Sequence, residues 1–278
     1  MDALTRRLAL RERTAFRCMA FAALLLLAGC AGPVHDETAD GLQPPDNDAL
    51  GAKNPEPNGD AQKMSAGDSE AFHEFRNDLW TAVDTGDTTG LAERVNVRSA
   101  GGETALIWCA TENQIECVKL LLSLGADTEL EYIGQTALMC ASSLGYVEMT
   151  RLLLDNGASV GHQSQRDGQS AIHYAAIYEK SEMVSLLRSY GAPLETLNSY
   201  DQSPLMDCAS SDMKAAVDQL LELGADPFFR NSQGQTALHF AAMFGSKSAY
   251  DRLSQIPGLA EIEDNAGLVA SYFMEVGE

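Results

Sequence analysis

Basic residues are scarce in this chain of 278 residues: 19 Lys and Arg stand against 40 Asp and Glu, a formal charge of −21. A field of that sign repels nucleic acid and anionic headgroups. It leaves a protein with a basic patch as the natural electrostatic complement, although the same charge also serves plain solubility. Long apolar runs are lacking too, since the most hydrophobic stretch, Met19 to Ala28, falls far short of the roughly 20 residues that cross a bilayer. The 6 cysteines form no Cys-x-x-Cys pair and no His/Cys metal spacing, so neither metal nor cofactor is expected. No glycine-rich loop of the phosphate-cradling kind occurs.

What the chain does have is repetition. GETALIWCA from Gly102, GQTALMCAS from Gly134, GQSAIHYAA from Gly168, DQSPLMDCA from Asp201, GQTALHFAA from Gly234 and a decayed GLVASYFME from Gly267 recur about every 33 residues. Self-similarity at that period means a stack of small units, none of which buries its apolar face alone. Within the second unit Ala137, Leu138 and Ala141, then Met149, Leu152 and Leu153, fall at the three- and four-residue spacings of helix faces. Thr104, Thr136, Ser170, Ser203 and Thr236 are placed to cap the first helix of each unit, with Pro204 at a first helical position. Gly125, Gly157, Gly191 and Gly224 are placed to end the second.

These residues resemble the ankyrin-repeat family. Its T-P-L-H-x-A-A signature is matched by Ser203, Pro204, Leu205, Cys208 and Ala209, by Thr236, Leu238, His239, Ala241 and Ala242, and by Ser170, His173, Ala175 and Ala176. The resemblance implies an all-α fold, an ankyrin-repeat solenoid of stacked helix-turn-helix units with β-turn tips. It covers residues 69–278: an N-terminal capping unit at about 69–98, repeats at about 99–263 and a C-terminal cap at about 264–278. Glu179 and Asp212 depart from the pattern, standing where the family turns between helices on glycine.

The chain opens differently. Arg6, Arg7, Arg11, Arg13 and Arg17 precede the short apolar run, which ends in Leu27, Ala28, Gly29 and Cys30. That order reads as a secretory leader over 1–29. Its end resembles a bacterial lipobox, which implies acylation (palmitate among the chains) of Cys30 and anchoring to the membrane. Ala31 after the cysteine implies the periplasmic face of the outer membrane. Arg6 and Arg7 also make a twin-arginine export pattern. Residues 30–68 hold Pro33, Pro44, Pro45, Pro55 and Pro57, abundant acid and no apolar period, so they read as a disordered tether with a reach of roughly 35 Å. Loss of the leader leaves 14 basic and 38 acidic residues.

Chemistry finds little support. Gly157 to Gly161 fit the G-x-S-x-G esterase elbow around Ser159, but that elbow needs a strand before the serine, and here a helix precedes it. Gly67, Asp68 and Ser69 imitate part of a lipase motif without a surrounding sheet. His173 and His239 stand at the family's signature histidine, which implies a structural tie between neighbouring turns. Cys109 and Cys208 occupy the repeat's first small alanine position, and Cys117 lies where the outer helix faces the core. Two readings remain open for Cys109 and Cys117, a disulfide within one unit or two buried thiols.

Recognition is what remains. The resemblance implies that a protein partner binds the concave face built from the turn tips and inner-helix ends. Carried over by register, the contacts are Tyr132, Leu144, Ile177, Tyr178, Tyr200, Met243, Phe244 and Glu112, with Ile133, Arg166, Asp167 and Gln233 at the tips. The expected function is a monomeric, membrane-anchored periplasmic binding module, not an enzyme. Alternatives are an immunity lipoprotein neutralising an envelope-targeting toxin such as a phospholipase, a support factor for a stress-protective enzyme such as catalase, an envelope spacer without a client, and an esterase using Ser159.

Overall fold

The computed structural model describes residues 66–275. The leader, Cys30 and residues 31–65 lie outside the described residues. Asp68–Glu278 forms one compact unit. It opens with α1 (Ala66–Thr85), twenty residues long, followed by a 3-10 turn at Ala92–Arg94 in place of an outer helix. Five helix pairs follow. The inner helices are α2 (Ala105–Thr111), α4 (Ala137–Leu144), α6 (Ala171–Ile177), α8 (Pro204–Ser210) and α10 (Ala237–Phe244). The outer ones are α3 (Ile115–Ser123), α5 (Val147–Asp155), α7 (Ser181–Ser189), α9 (Lys214–Glu222) and α11 (Lys247–Leu253). A 3-10 turn at Leu259–Glu261 and α12 (Ala270–Glu275) close the described chain.

Small residues make the inner seam. Ala105, Cys109, Ala110, Ala137, Ala141, Ala171, Ala175, Ala176, Cys208, Ala209, Ala237, Ala241 and Ala242 are all buried, which lets each inner helix pack directly on the next. The outer helices add Val118, Leu121, Met149, Leu153, Met183, Leu187, Val217 and Leu220, spaced three and four apart and likewise buried. Burying such a side chain contributes about 1.5–3 kcal/mol. No unit encloses this seam by itself, so cohesion comes from neighbours.

Every expected cap is in place. Thr104 accepts a hydrogen bond from the Ile107 amide at 3.3 Å, Thr136 from Met139 at 3.3 Å and Ser203 from Met206 at 3.4 Å. In the third and fifth repeats the histidine takes over. His173 Nδ1 accepts from the Ser170 amide at 3.2 Å, which leaves the proton on Nε2 to donate to the Gln202 carbonyl, 3.4 Å away in the next tip. His239 does the same between Thr236 and the Leu268 carbonyl at 3.2 Å. Burial holds His173 down at about 4, so the ring is a neutral tie between repeats.

The turns between helices keep left-handed backbone throughout, at Asn113, Gly145, Glu179, Asp212 and Gly245. Glu179 and Asp212 therefore do not alter the turn, and Asn113 is a third departure from glycine. A side chain in this conformation costs roughly 1–2 kcal/mol. Asp212 offsets the cost: its carboxylate accepts from the Ala249 amide at 2.9 Å and the Ser248 hydroxyl at 3.2 Å, stitching the turn to α11.

Candidate functional site

The inner-helix ends and turn tips form one face. Leu144, Ile177, Tyr178, Met243 and Phe244 are half-buried on it, while Glu112 is exposed at the end of α2. Phe244 stacks on Phe240, with ring centroids 6.4 Å apart and planes within 5°. Gln235 Nε2 lies 3.6 Å from Met243 Sδ. At the tips, Tyr132 pairs with Gln135 through two backbone hydrogen bonds of 2.9 and 3.0 Å, and Tyr200 stands 47% exposed. Each of these residues reaches solvent.

The same band has a row that register reasoning missed, one turn earlier in each inner helix: Trp108, Cys140, Tyr174, Asp207 and Phe240. The repeat period itself could have found it, because all five occupy the variable position of the T-P-L-H-x-A-A signature. Asp207 is the odd member, a carboxylate only 7% exposed. It is pushed up to about 7, chiefly by burial and in part by the nearby Asp167, against the Asn198 amide, which donates to it at 3.1 Å.

Asp167 corrects an expectation. Register puts it at an exposed tip with Ile133 and Tyr200, yet it is 3% exposed where Ile133 is 43%. The cause is one extra residue. The other tips close with an amide bonding three residues back, as Gly102 does to Ser99 and Gly234 to Asn231, whereas Gly168 reaches four back to the Ser164 carbonyl at 2.8 Å. The wider turn tucks Asp167 under the chain, where its Oδ1 accepts from the Gln169 amide at 3.1 Å and its carbonyl from the Ser199 amide at 2.8 Å. Gly168 is indispensable there, since its φ is +70° and an added Cβ would sit 2.7 Å from the Ser199 nitrogen.

The N-terminal end of the band is closed by the chain itself. Trp80 of α1 meets Trp108 edge to face at 6.0 Å, and the Arg76 guanidinium lies 4.1 Å over the Trp108 ring. Burial raises the Glu103 carboxyl beside them, and the Arg76 charge opposes it. Below, Cys109 and Cys117 are joined by a disulfide, which decides between the two readings of that pair. Cys140 and Cys208 remain buried free thiols.

The catalytic motifs dissolve in this geometry. Ser159 lies in the exposed loop after α5, its amide donating to Glu129 Oε1 at 2.9 Å. His162, three residues on, has both ring nitrogens 2.8 Å from carboxylates, Nδ1 from Glu129 and Nε2 from Glu131. That clasp ties two repeats and leaves no nitrogen for the serine. Gly67, Asp68 and Ser69 fall within α1 rather than in a tether. Among the described residues no group of His, Cys, Asp and Glu could hold a metal, and no helix is long and apolar enough to cross a membrane.

Paired helices on a small-residue seam, tied by histidines from tip to tip, define a helical-repeat binding scaffold. The sequence profile described as Ankyrin repeats (3 copies) matches residues 79–164 and 159–231, so the chain belongs to the ankyrin-repeat family. Curated relatives include the E3 ubiquitin-protein ligase XBAT33 of Arabidopsis thaliana, 31% identical over 146 residues, which is 52% of this chain and 27% of that protein. An L-asparaginase of Dirofilaria immitis is 32% identical over 143 residues, 51% of this chain and 24% of its own length. Ankyrin repeat and SOCS box protein 16 of Homo sapiens is 29% identical over 176 residues, 60% and 39% respectively. The chain therefore spans less than half of each relative, and the enzyme names among them attach to proteins matched only in part. What the family defines is a protein–protein interaction module.

Proposed function

We propose that this chain is a lipid-anchored protein of a bacterial envelope, facing the periplasm from the outer membrane, that holds another protein against its inner-helix face. The observation that carries the binding reading is the band from Leu144 to Phe244, half-buried aromatic and aliphatic side chains on an otherwise acidic protein. Aromatic anchors of this kind dominate interface energies. The anchoring part rests on the arginine-flanked apolar run ending at Cys30. The Cys109–Cys117 disulfide supports it, because such bonds persist in oxidising compartments. Inhibition of a secreted toxin and support of a protective enzyme are two roles that such capture would serve.

Affinity capture from detergent-solubilised envelopes with the acylated full chain tests the proposal. The double variant Tyr178→Ala, Phe244→Ala keeps its fold, since neither side chain belongs to the inner seam, and binds the captured protein more than tenfold more weakly. Unchanged capture by that variant overturns the assignment of the face. Recovery of the protein from the cytosol with its leader intact overturns the location.

A further inference from the structure

The boundary between the third and fourth repeats carries polar valence that the chain does not satisfy. Asp167 Oδ2 and Gln169 Oε1 are both buried without any hydrogen-bond partner. Both are acceptors, and they sit two residues apart. Asp167 adds its charge to the surroundings of Tyr174 on α6 and of Asp207 on α8, and its carbonyl accepts from the Ser199 amide, next in the chain to Asn198, whose side chain donates to Asp207. Tyr174 is itself fixed, its hydroxyl bonded to Gln135. An unpaired buried acceptor costs about 1–3 kcal/mol, more when charged. Two neighbouring acids and an orphaned amide oxygen are a costly set of groups to leave in a structural core.

The first repeat shows what such a site needs. There the half-buried Glu103 has a cation from the same chain nearby, the Arg76 guanidinium lying over Trp108. At Asp207 the influences are burial, Asn198 and another acid, with no cation among them. Tyr174 occupies the Trp108 position one repeat before Asp207, and Tyr178 follows it by a turn. Carboxylates beside aromatic rings suit a guanidinium or ammonium group, which donates to several oxygens at once and rests on ring faces.

We infer that Asp167, Gln169 and Asp207 form a receptor site for one arginine or lysine side chain of the protein partner, set within the binding band beside Tyr174 and Tyr178. The inference rests on the band being the partner-binding face and names the chemistry it selects. The inserted side chain supplies the donors that Asp167 Oδ2 and Gln169 Oε1 lack. It also neutralises a carboxylate pair that repels itself in the free protein. Affinity then rises with pH as Asp207 ionises, whereas a purely apolar contact would not change with pH.

The test uses a phage-displayed dodecamer library panned against the full chain, then against Tyr178→Ala, Phe244→Ala and against Asp167→Asn, Asp207→Asn. Asparagine keeps the oxygen that accepts from the Gln169 amide and removes the charge. Peptides that depend on Tyr178 and Phe244 are expected to share one fixed arginine or lysine. Replacing that residue with norleucine, or binding to Asp167→Asn, Asp207→Asn, is expected to weaken affinity at least tenfold, while that variant melts no lower than the parent. Peptides that need the tyrosine and phenylalanine but carry no fixed basic residue, or that bind the asparagine variant equally well, overturn the receptor site and leave the binding face standing. Selection of no peptide sensitive to either double variant overturns both.

Discussion

The two ends of one surface have been finished differently. At the first repeat, Trp108 lies under Trp80 and Arg76, Glu103 has the Arg76 charge nearby, and a disulfide joins the two helices. Three repeats on, the Trp108 position holds Asp207, and the tip of the preceding repeat holds an inward-turned Asp167, with unpaired oxygens on Asp167 and Gln169. A repeat array can spend each unit separately because each contacts only its neighbours. Here the first unit brings an acid, an aromatic ring and a cation together, with the Arg76 Nε left unpaired, and the third and fourth leave acceptors unsatisfied.

The largest expected effect breaks that contrast by removing the charge in the middle. Asp207 titrates at about 7 against an ordinary carboxyl value of 3.8, so the folded state holds its proton more tightly than the unfolded state does. Stability from this group is present at low pH and falls as pH rises from about 4 through about 7. Asp207→Asn should therefore raise stability at pH 8 by up to about 4 kcal/mol and change it little at pH 4. Urea melts at both values measure it. His173 works the other way, since its lowered value makes stability fall as pH drops from 6.5 towards about 4. The parent curve should be flatter between pH 4 and 6.5 than that of Asp207→Asn.

Removing the bond that closes the first repeat gives the next effect. The disulfide spans a sequence separation of 8, for which loop entropy gives about 2–3 kcal/mol. Cys109→Ser with Cys117→Ser should lose that much and should exchange amide protons fastest in α2 and α3, while peptide binding at the middle repeats persists. The smallest effect sharpens the baseline. Gly125 and Gly224 end outer helices at φ near +90°, and a Cβ there would meet nothing within 4 Å. Gly125→Ala and Gly224→Ala should each cost about 1 kcal/mol, alike in both regions, because the penalty is conformational rather than steric.

Sequence made the scaffold legible because its rules are local. Thr136 with Met139, Ser203 with Pro204, and Gly157 past the end of α5 each declare a helix boundary within four residues. What stayed hidden depends on partners about thirty residues away or on a single insertion. Nothing near Trp108 announces that Trp80 and Arg76 will cover it. Asp167 looks like any polar tip residue until its tip is seen to be longer than the two beside it. The contact band was readable for Tyr178 and Phe244, which stand at the ends of inner helices. The row through Asp207 was passed over because a variable position invites no attention until five copies are aligned.

A linear array has no built-in starting point: with nearest-neighbour cohesion alone, order could begin in any unit and spread both ways. Oxidation of Cys109 and Cys117 ends that symmetry. Once closed, the pair keeps α2 and α3 together even when everything beyond them is unravelled, so the covalent unit becomes a seed from which the remaining repeats zip up in the direction of synthesis.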